Sequence, residues 1–126
     1  MIRKPVMSDA EWIYDLIRSE FPTATPSVGD IQKWIANEQV VVDDSMKAFV
    51  KWTKHDGYIN VDLGITHPDS RGLGLMTILF SYVSWIFQKP VSFFTSAENN
   101  KVKNATFLGE ITDTNGVKWH RYTKRT

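Results

Sequence analysis

The chain has 126 residues, 42% of them hydrophobic, with 15 basic against 14 acidic side chains and no cysteine. That size suits a single domain over residues 1–126, and the apolar fraction excludes disorder as the default state. The missing cysteines exclude disulfides, thiolate metal sites and thiol nucleophiles, and a formal charge of +1 argues against a protein that blankets nucleic acid.

Residues 2–7 read as a short opening strand. Ser8-Asp9-Ala10-Glu11 has the form of a capping box and opens a helix whose apolar stripe is Trp12, Ile13, Leu16 and Ile17. Phe21-Pro22 closes it, and a loop over Thr23 to Pro26 follows. Ser27-Val28-Gly29-Asp30 caps a second, shorter helix with Ile31, Trp34 and Ile35 on its inner face. The period then changes. Gln39 to Asp43, Met46 to Lys54 and Tyr58 to Thr66 are β-branched or alternating, and Asp56-Gly57 is a hairpin signal, so a three-stranded antiparallel meander is expected. Gly74 to Phe87 returns to helical spacing through Leu75, Ile78, Leu79, Tyr82, Val83 and Ile86. Pro90 introduces a strand over Val91 to Thr95. Glu98 to Leu108 is expected as a fourth helix ended by Gly109. Glu110 to Asp113 and Val117 to Lys124 flank Thr114-Asn115-Gly116, where Asn-Gly suits a type I′ hairpin. The expected order is β-α-α-β-β-β-α-β-α-β-β, an α+β fold with at least one strand–helix–strand crossover.

The longest apolar stretch, Leu73 to Phe87, is interrupted by Ser81, Tyr82 and Ser84 and is too short to span a bilayer. Met1 to Pro5 carries charge with no apolar run of signal-peptide length behind it. The expectation is a soluble cytoplasmic protein without a membrane partner.

One segment carries chemistry. Val61 to Thr66 is a strand that runs into His67-Pro68-Asp69-Ser70-Arg71-Gly72-Leu73-Gly74, and an apolar helix begins at once. Two glycines two residues apart let backbone amides approach a ligand, and the helix start adds partial positive charge beside the full charge of Arg71. A diphosphate suits such a cradle; a plain strand-to-helix turn is the alternative reading. There is no Gly-Lys-Ser/Thr ending, so this is not a P-loop, and no later acidic ribose ligand supports a dinucleotide fold.

The run His67 to Leu75 resembles the acyl-CoA-binding motif of the GNAT superfamily of N-acetyltransferases, whose pattern is Arg/Gln-x-x-Gly-x-Gly/Ala. The element order also matches that fold, two helices after the first strand included. The resemblance implies a mixed, mostly antiparallel central sheet flanked by about four helices. It implies acetyl-CoA as co-substrate, with the amides of Leu73, Gly74, Leu75 and Met76 on the pyrophosphate and Arg71 and Gly72 beside it. Gly64, Ile65 and Thr66 would splay from Val91 to Thr95, and the pantetheine arm would lie in that wedge. Asn99 or Asn100 would match the family's asparagine on the cofactor arm. The implied activity is direct acetyl transfer to a small amine or a protein amine.

Two departures from the family pattern stand out. Met76 occupies the place of the second Gly/Ala, and the family's helix-four tyrosine has no counterpart, because Thr106 or Phe107 falls at that spot. Asp62, the only carboxylate of its strand, is the candidate general base; a solvated or lysine-paired side chain is the alternative. His67 has a suitable intrinsic pKa but sits in a turn beside proline, and Tyr58, Tyr82 and Tyr122 could each replace the missing tyrosine. His55 and His120 have no partners at metal spacing, so no metal is expected. The basic, aromatic tail Lys118 to Arg125 allows nucleic-acid contact, though a charged edge strand is the more ordinary reading. Two functions follow: an acetyltransferase with an amine acceptor, or a GNAT-like binding or structural protein that has lost catalysis, a kind that occurs in bacteriophages. The oligomeric state is left open.

Overall fold

The computed structural model describes residues 1–99 and 102–124. The elements are β1 (Ile2–Arg3), α1 (Asp9–Glu20), α2 (Val28–Ala36), β2 (Val40–Asp43), β3 (Ala48–His55), β4 (Tyr58–Thr66), a 3-10 turn (Pro68–Ser70), α3 (Leu75–Phe87), β5 (Val91–Ser96), β6 (Thr106–Thr112) and β7 (Lys118–Lys124). The strands form one seven-stranded, mostly antiparallel sheet in the order β1-β2-β3-β4-β5-β7-β6. The pairing of β4 with β5 is parallel, with Ile59, Asn60 and Val61 opposite Val91, Ser92 and Phe93. Helix α3 connects these two strands, as a parallel pair requires.

The chain groups into two compact units interleaved in sequence: 1–52 with 63–80, and 53–62 with 81–126. In the first unit, Ala10, Ile13, Leu16 and Ile17 of α1 and Ile31 and Ile35 of α2 form a core with Val40, Val42, Phe49 and Ile65. Both helices therefore bury the apolar stripe read from their spacing. The Trp12 ring meets Phe49 edge-on at 6.4 Å. Ser27 makes the expected capping box: its hydroxyl accepts from the Asp30 amide at 3.0 Å, and the Asp30 carboxylate accepts from the Ser27 amide. Ser8 makes no side-chain cap. The Asp9 and Ala10 amides donate instead to the Val6 and Met7 carbonyls, and the buried Asp9 carboxylate ties the preceding strand and loop to the helix, accepting from the Val6 amide (2.7 Å), the Trp12 indole (2.7 Å) and the Arg3 guanidinium (2.8 and 2.9 Å). The Arg3 guanidinium compensates the buried Asp9 charge in bidentate fashion.

The expected fourth helix over Glu98–Leu108 does not form among the described residues, which hold three α-helices in all. Asn104 adopts φ 56°, a left-handed conformation that a right-handed helix cannot contain. From Thr106 onward the chain pairs antiparallel with β7, Phe107 opposite Tyr122 and Ile111 opposite Trp119, with an irregularity between Phe107 and Gly109. Gly109 is part of this strand and terminates no helix. The hairpin also differs in type. Gly116 is at φ 79° while Asn115 is not in the left-handed region, and the Gly116 amide bonds to the Asp113 carbonyl at 3.0 Å. That is a type I turn followed by a left-handed glycine, because the Asp113 carboxylate fixes the turn by accepting from the Asn115 and Val117 amides.

Candidate anion cradle at the strand-to-helix turn

The cradle lies wholly within the first unit. Along the end of β4, Leu63 and Ile65 join the core of α1 and α2, whereas Gly64 is exposed. A Cβ on Gly64 would stand 3.0 Å from Met76 Sδ and 3.3 Å from Val50 Cγ1. The Met76 side chain is thus laid onto the strand, and its backbone amide belongs to the first turn of α3. The bulky residue at the family's small-residue position is accommodated because Gly64 leaves room for it.

After Thr66 the chain makes a 3-10 turn through Pro68 to Ser70. The His67 amide donates to the Lys47 carbonyl at 2.6 Å, and its imidazole Nδ1 accepts from the Asp69 amide at 3.2 Å. Lys47 Nζ bonds to Asp69 at 3.0 Å. Hydrogen bonds from the Ser70 hydroxyl and from Lys47 hold the Asp69 carboxyl below the ordinary carboxylate range. His67 therefore serves the turn as a cap. Arg71 donates through Nε to the Thr66 carbonyl at 3.1 Å and through Nη2 to the Glu20 carboxylate at the end of α1. Its head group is held beside the turn, half-exposed to solvent.

Gly72 and Gly74 are at φ 84° and 77°, and a Cβ on either would meet nothing within 4 Å. Left-handed backbone at alternate positions is the kind of conformation in which successive amides can converge on a ligand. The Ile78 amide closes the first ring of α3 by bonding to the Gly74 carbonyl at 3.1 Å. By helix geometry the preceding amides, those of Leu75, Met76 and Thr77, have no carbonyl within the helix to bond. The first turn of α3 holds no acidic side chain to compete for them. Unbonded first-turn amides, the positive end of a helix and a nearby guanidinium are the features that anion sites use.

Of the predicted residues, the structure brings together Gly64, Ile65, Thr66, Arg71, Gly72, Leu73, Gly74, Leu75 and Met76. Asp62 and Asn99 belong to the second unit. Asp62 is exposed and accepts from the Thr53 hydroxyl (2.5 Å) and the Asn60 amide (2.7 Å). Asn99 is exposed in the turn after β5 and donates to the Thr95 hydroxyl at 2.8 Å. Asn100 lies outside the described residues. Sequence reasoning missed Glu20, whose bond to Arg71 spans 51 positions and leaves no local trace. Among the described residues no cluster of His, Asp and Glu could hold a metal ion, and no helix is long and apolar enough to cross a membrane.

The fold is GNAT-like. The chain is similar in structure to the ribosomal-protein-S18-alanine N-acetyltransferase from Escherichia coli, at TM-score 0.64 and 13% identity, covering 98% of this chain and 92% of that one. It is similar to a putative acetyltransferase from the GNAT family of Bacteroides thetaiotaomicron, at TM-score 0.64 and 8% identity, covering 100% and 87%. A nourseothricin acetyltransferase aligns at TM-score 0.52 and 15% identity over 68% of this chain and 62% of its own. No family model and no curated protein sequence matches the chain.

Proposed function

We propose that the chain is an acetyl-CoA-dependent N-acetyltransferase acting by direct transfer on an amine, small or protein-borne, in the cytoplasm. The observation that carries this reading is the turn from Arg71 to Thr77, with two left-handed glycines facing open space and a helix start free of acidic side chains. Those features fit a diphosphate, as does the similarity in fold to acetyltransferases. Acetyl-CoA would supply an activated thioester carbonyl. The amides of Leu73 to Met76 would hold its diphosphate, and Arg71 would exchange the Glu20 carboxylate for a phosphate oxygen. The backbone of Gly64, Ile65 and Thr66 would receive the pantetheine arm, and Asn99 or Asn100 would contact it. Asp62, held by Thr53 and Asn60, is the carboxylate we assign to accept the proton of the amine.

One observation favours a second reading, a binding protein without catalysis: residues 106–112 form a strand, where the family's tyrosine-bearing helix would stand. A thiol-release assay separates the two. Because the chain has no cysteine, a thiol reagent reports only free CoA. Release that depends on an added amine and falls in Asp62→Asn supports transfer. Saturable acetyl-CoA binding with no release across a panel of amines overturns it in favour of the binding reading.

A further inference from the structure

Arg121 of β7 stands opposite Phe94 of β5 in the second unit. Its guanidinium carbon is 5.3 Å from the ring centre of Tyr58 and 6.0 Å from that of Phe94. Nη2 donates to the Ser92 hydroxyl at 3.5 Å, the outer limit of a hydrogen bond, and Nε is enclosed without any partner. The Ser92 hydroxyl donates onward to Asn60 Oδ1 at 3.0 Å, and the Asn60 amide donates to Asp62. Arg3 and Arg71 each hold a carboxylate, whereas Arg121 makes no ion pair among the described residues. Phe94 is 43% exposed, so the face it shares with Arg121 meets solvent.

A partly enclosed guanidinium without an anion is an expensive arrangement, because burial weakens its hydration and nothing charged replaces it. The two rings offset part of that cost and also keep water off the flanks of the cation. What they leave to a ligand is the Nη edge, a planar fork that matches a carboxylate in bidentate fashion. Asp62 projects from the same face of β4 as Tyr58 and Asn60, since alternate residues share a face. The single guanidinium balances one negative charge, which suits a monoanion better than a dianion such as a phosphate monoester. We propose that Arg121, Tyr58 and Phe94 form a binding site for a small monocarboxylate with an apolar or aromatic body, with the buried Ser92 hydroxyl orienting the guanidinium from beneath. This site belongs to the second unit alone and stands whether or not the chain transfers acetyl groups.

The test is a titration of the whole chain with benzoate, followed by the Nε–Hε signal of Arg121 in proton–nitrogen NMR spectra. Benzamide, which has the same ring without the charge, and phenylphosphonate are titrated in parallel. The proposal expects saturable movement of that signal with benzoate and binding about tenfold weaker for benzamide and for phenylphosphonate. Arg121→Lys, which keeps the charge and loses the fork, should weaken benzoate about fivefold or more. Arg121→Gln should abolish binding while retaining the folded spectrum; if that variant does not fold, the wild-type contrast of benzoate with benzamide decides. A static Arg121 signal throughout the benzoate titration, equal binding of benzamide, tighter binding of phenylphosphonate, or undiminished binding in Arg121→Lys would each overturn it.

Discussion

Strands β2 and β6 each carry three large apolar residues, over four and seven positions, and have opposite fates. All four residues of β2 are buried, and Val40 and Val42 enter the core of the first unit. No residue of β6 is buried, and Phe107, Leu108 and Ile111 are each about half exposed. β2 is hydrogen-bonded on both sides, to β1 and β3; β6 ends the sheet order with β7 as its one neighbour. Apolar content therefore does not decide burial here; position in the sheet does. The first core is held by packing, whereas β6 is held by its ladder to β7 and by ring contacts such as Phe107 with His120 at 5.0 Å and with Tyr122 at 5.7 Å.

Substitutions separate these two modes. Phe49→Ala removes a fully buried ring from the first core and should cost about 3–5 kcal/mol in urea denaturation. Ile111→Ala on β6 should cost less than about 1 kcal/mol. Equal losses would break the contrast.

Asp9 sharpens the account of the first unit through pH. The Arg3 guanidinium, with help from the Trp12 indole and the Val6 amide, lowers its carboxyl to about 2 against the burial that opposes ionisation. A depressed folded-state pKa contributes stability above the unfolded value near 4 and loses it as pH falls toward 2. Asp9→Asn should therefore cost about 2 kcal/mol at neutral pH, and the difference from the parent should close as the pH falls through that window. A difference constant down to pH 2 contradicts the assignment.

Smaller effects are expected at the cradle. Gly74→Ala meets open space but must hold φ 77°, so it should cost about 1 kcal/mol of stability while weakening acetyl-CoA more than the fold. Glu20→Gln removes the partner of Arg71 in an exposed pair, so melting should move by less than about 1 kcal/mol equivalent. Acetyl-CoA affinity should rise in that variant, because Arg71 no longer has a carboxylate to leave. Lowered affinity would show that Glu20 positions Arg71 and does not compete for it.

The first unit was legible in the sequence because its signals are local. The stripe Ile13, Leu16, Ile17, the Ser27–Asp30 box and the glycines before α3 each act within a few residues. The stretch expected as a helix over Glu98–Leu108 was not, as its described residues show. Its apolar residues can be threaded onto a helix, yet Asn104 favours the left-handed region, and Phe107 and Ile111 find partners in β7 that no local window contains. The strand-to-helix turn with its two glycines was readable for the same reason as α1. Its coupling to Glu20 and the surroundings of Arg121 were not, since both depend on strands and helices meeting across long sequence separations.

In the proposed function the amides around Gly72 to Met76 bind the diphosphate of acetyl-CoA. Isothermal titration of the intact chain with acetyl-CoA, and separately with acetyl-pantetheine, which lacks the diphosphate, tests it most directly. Saturable heat with acetyl-CoA at sub-millimolar concentration is expected, with loss of most of that affinity for acetyl-pantetheine. No heat with acetyl-CoA, or equal binding of the two, would contradict it.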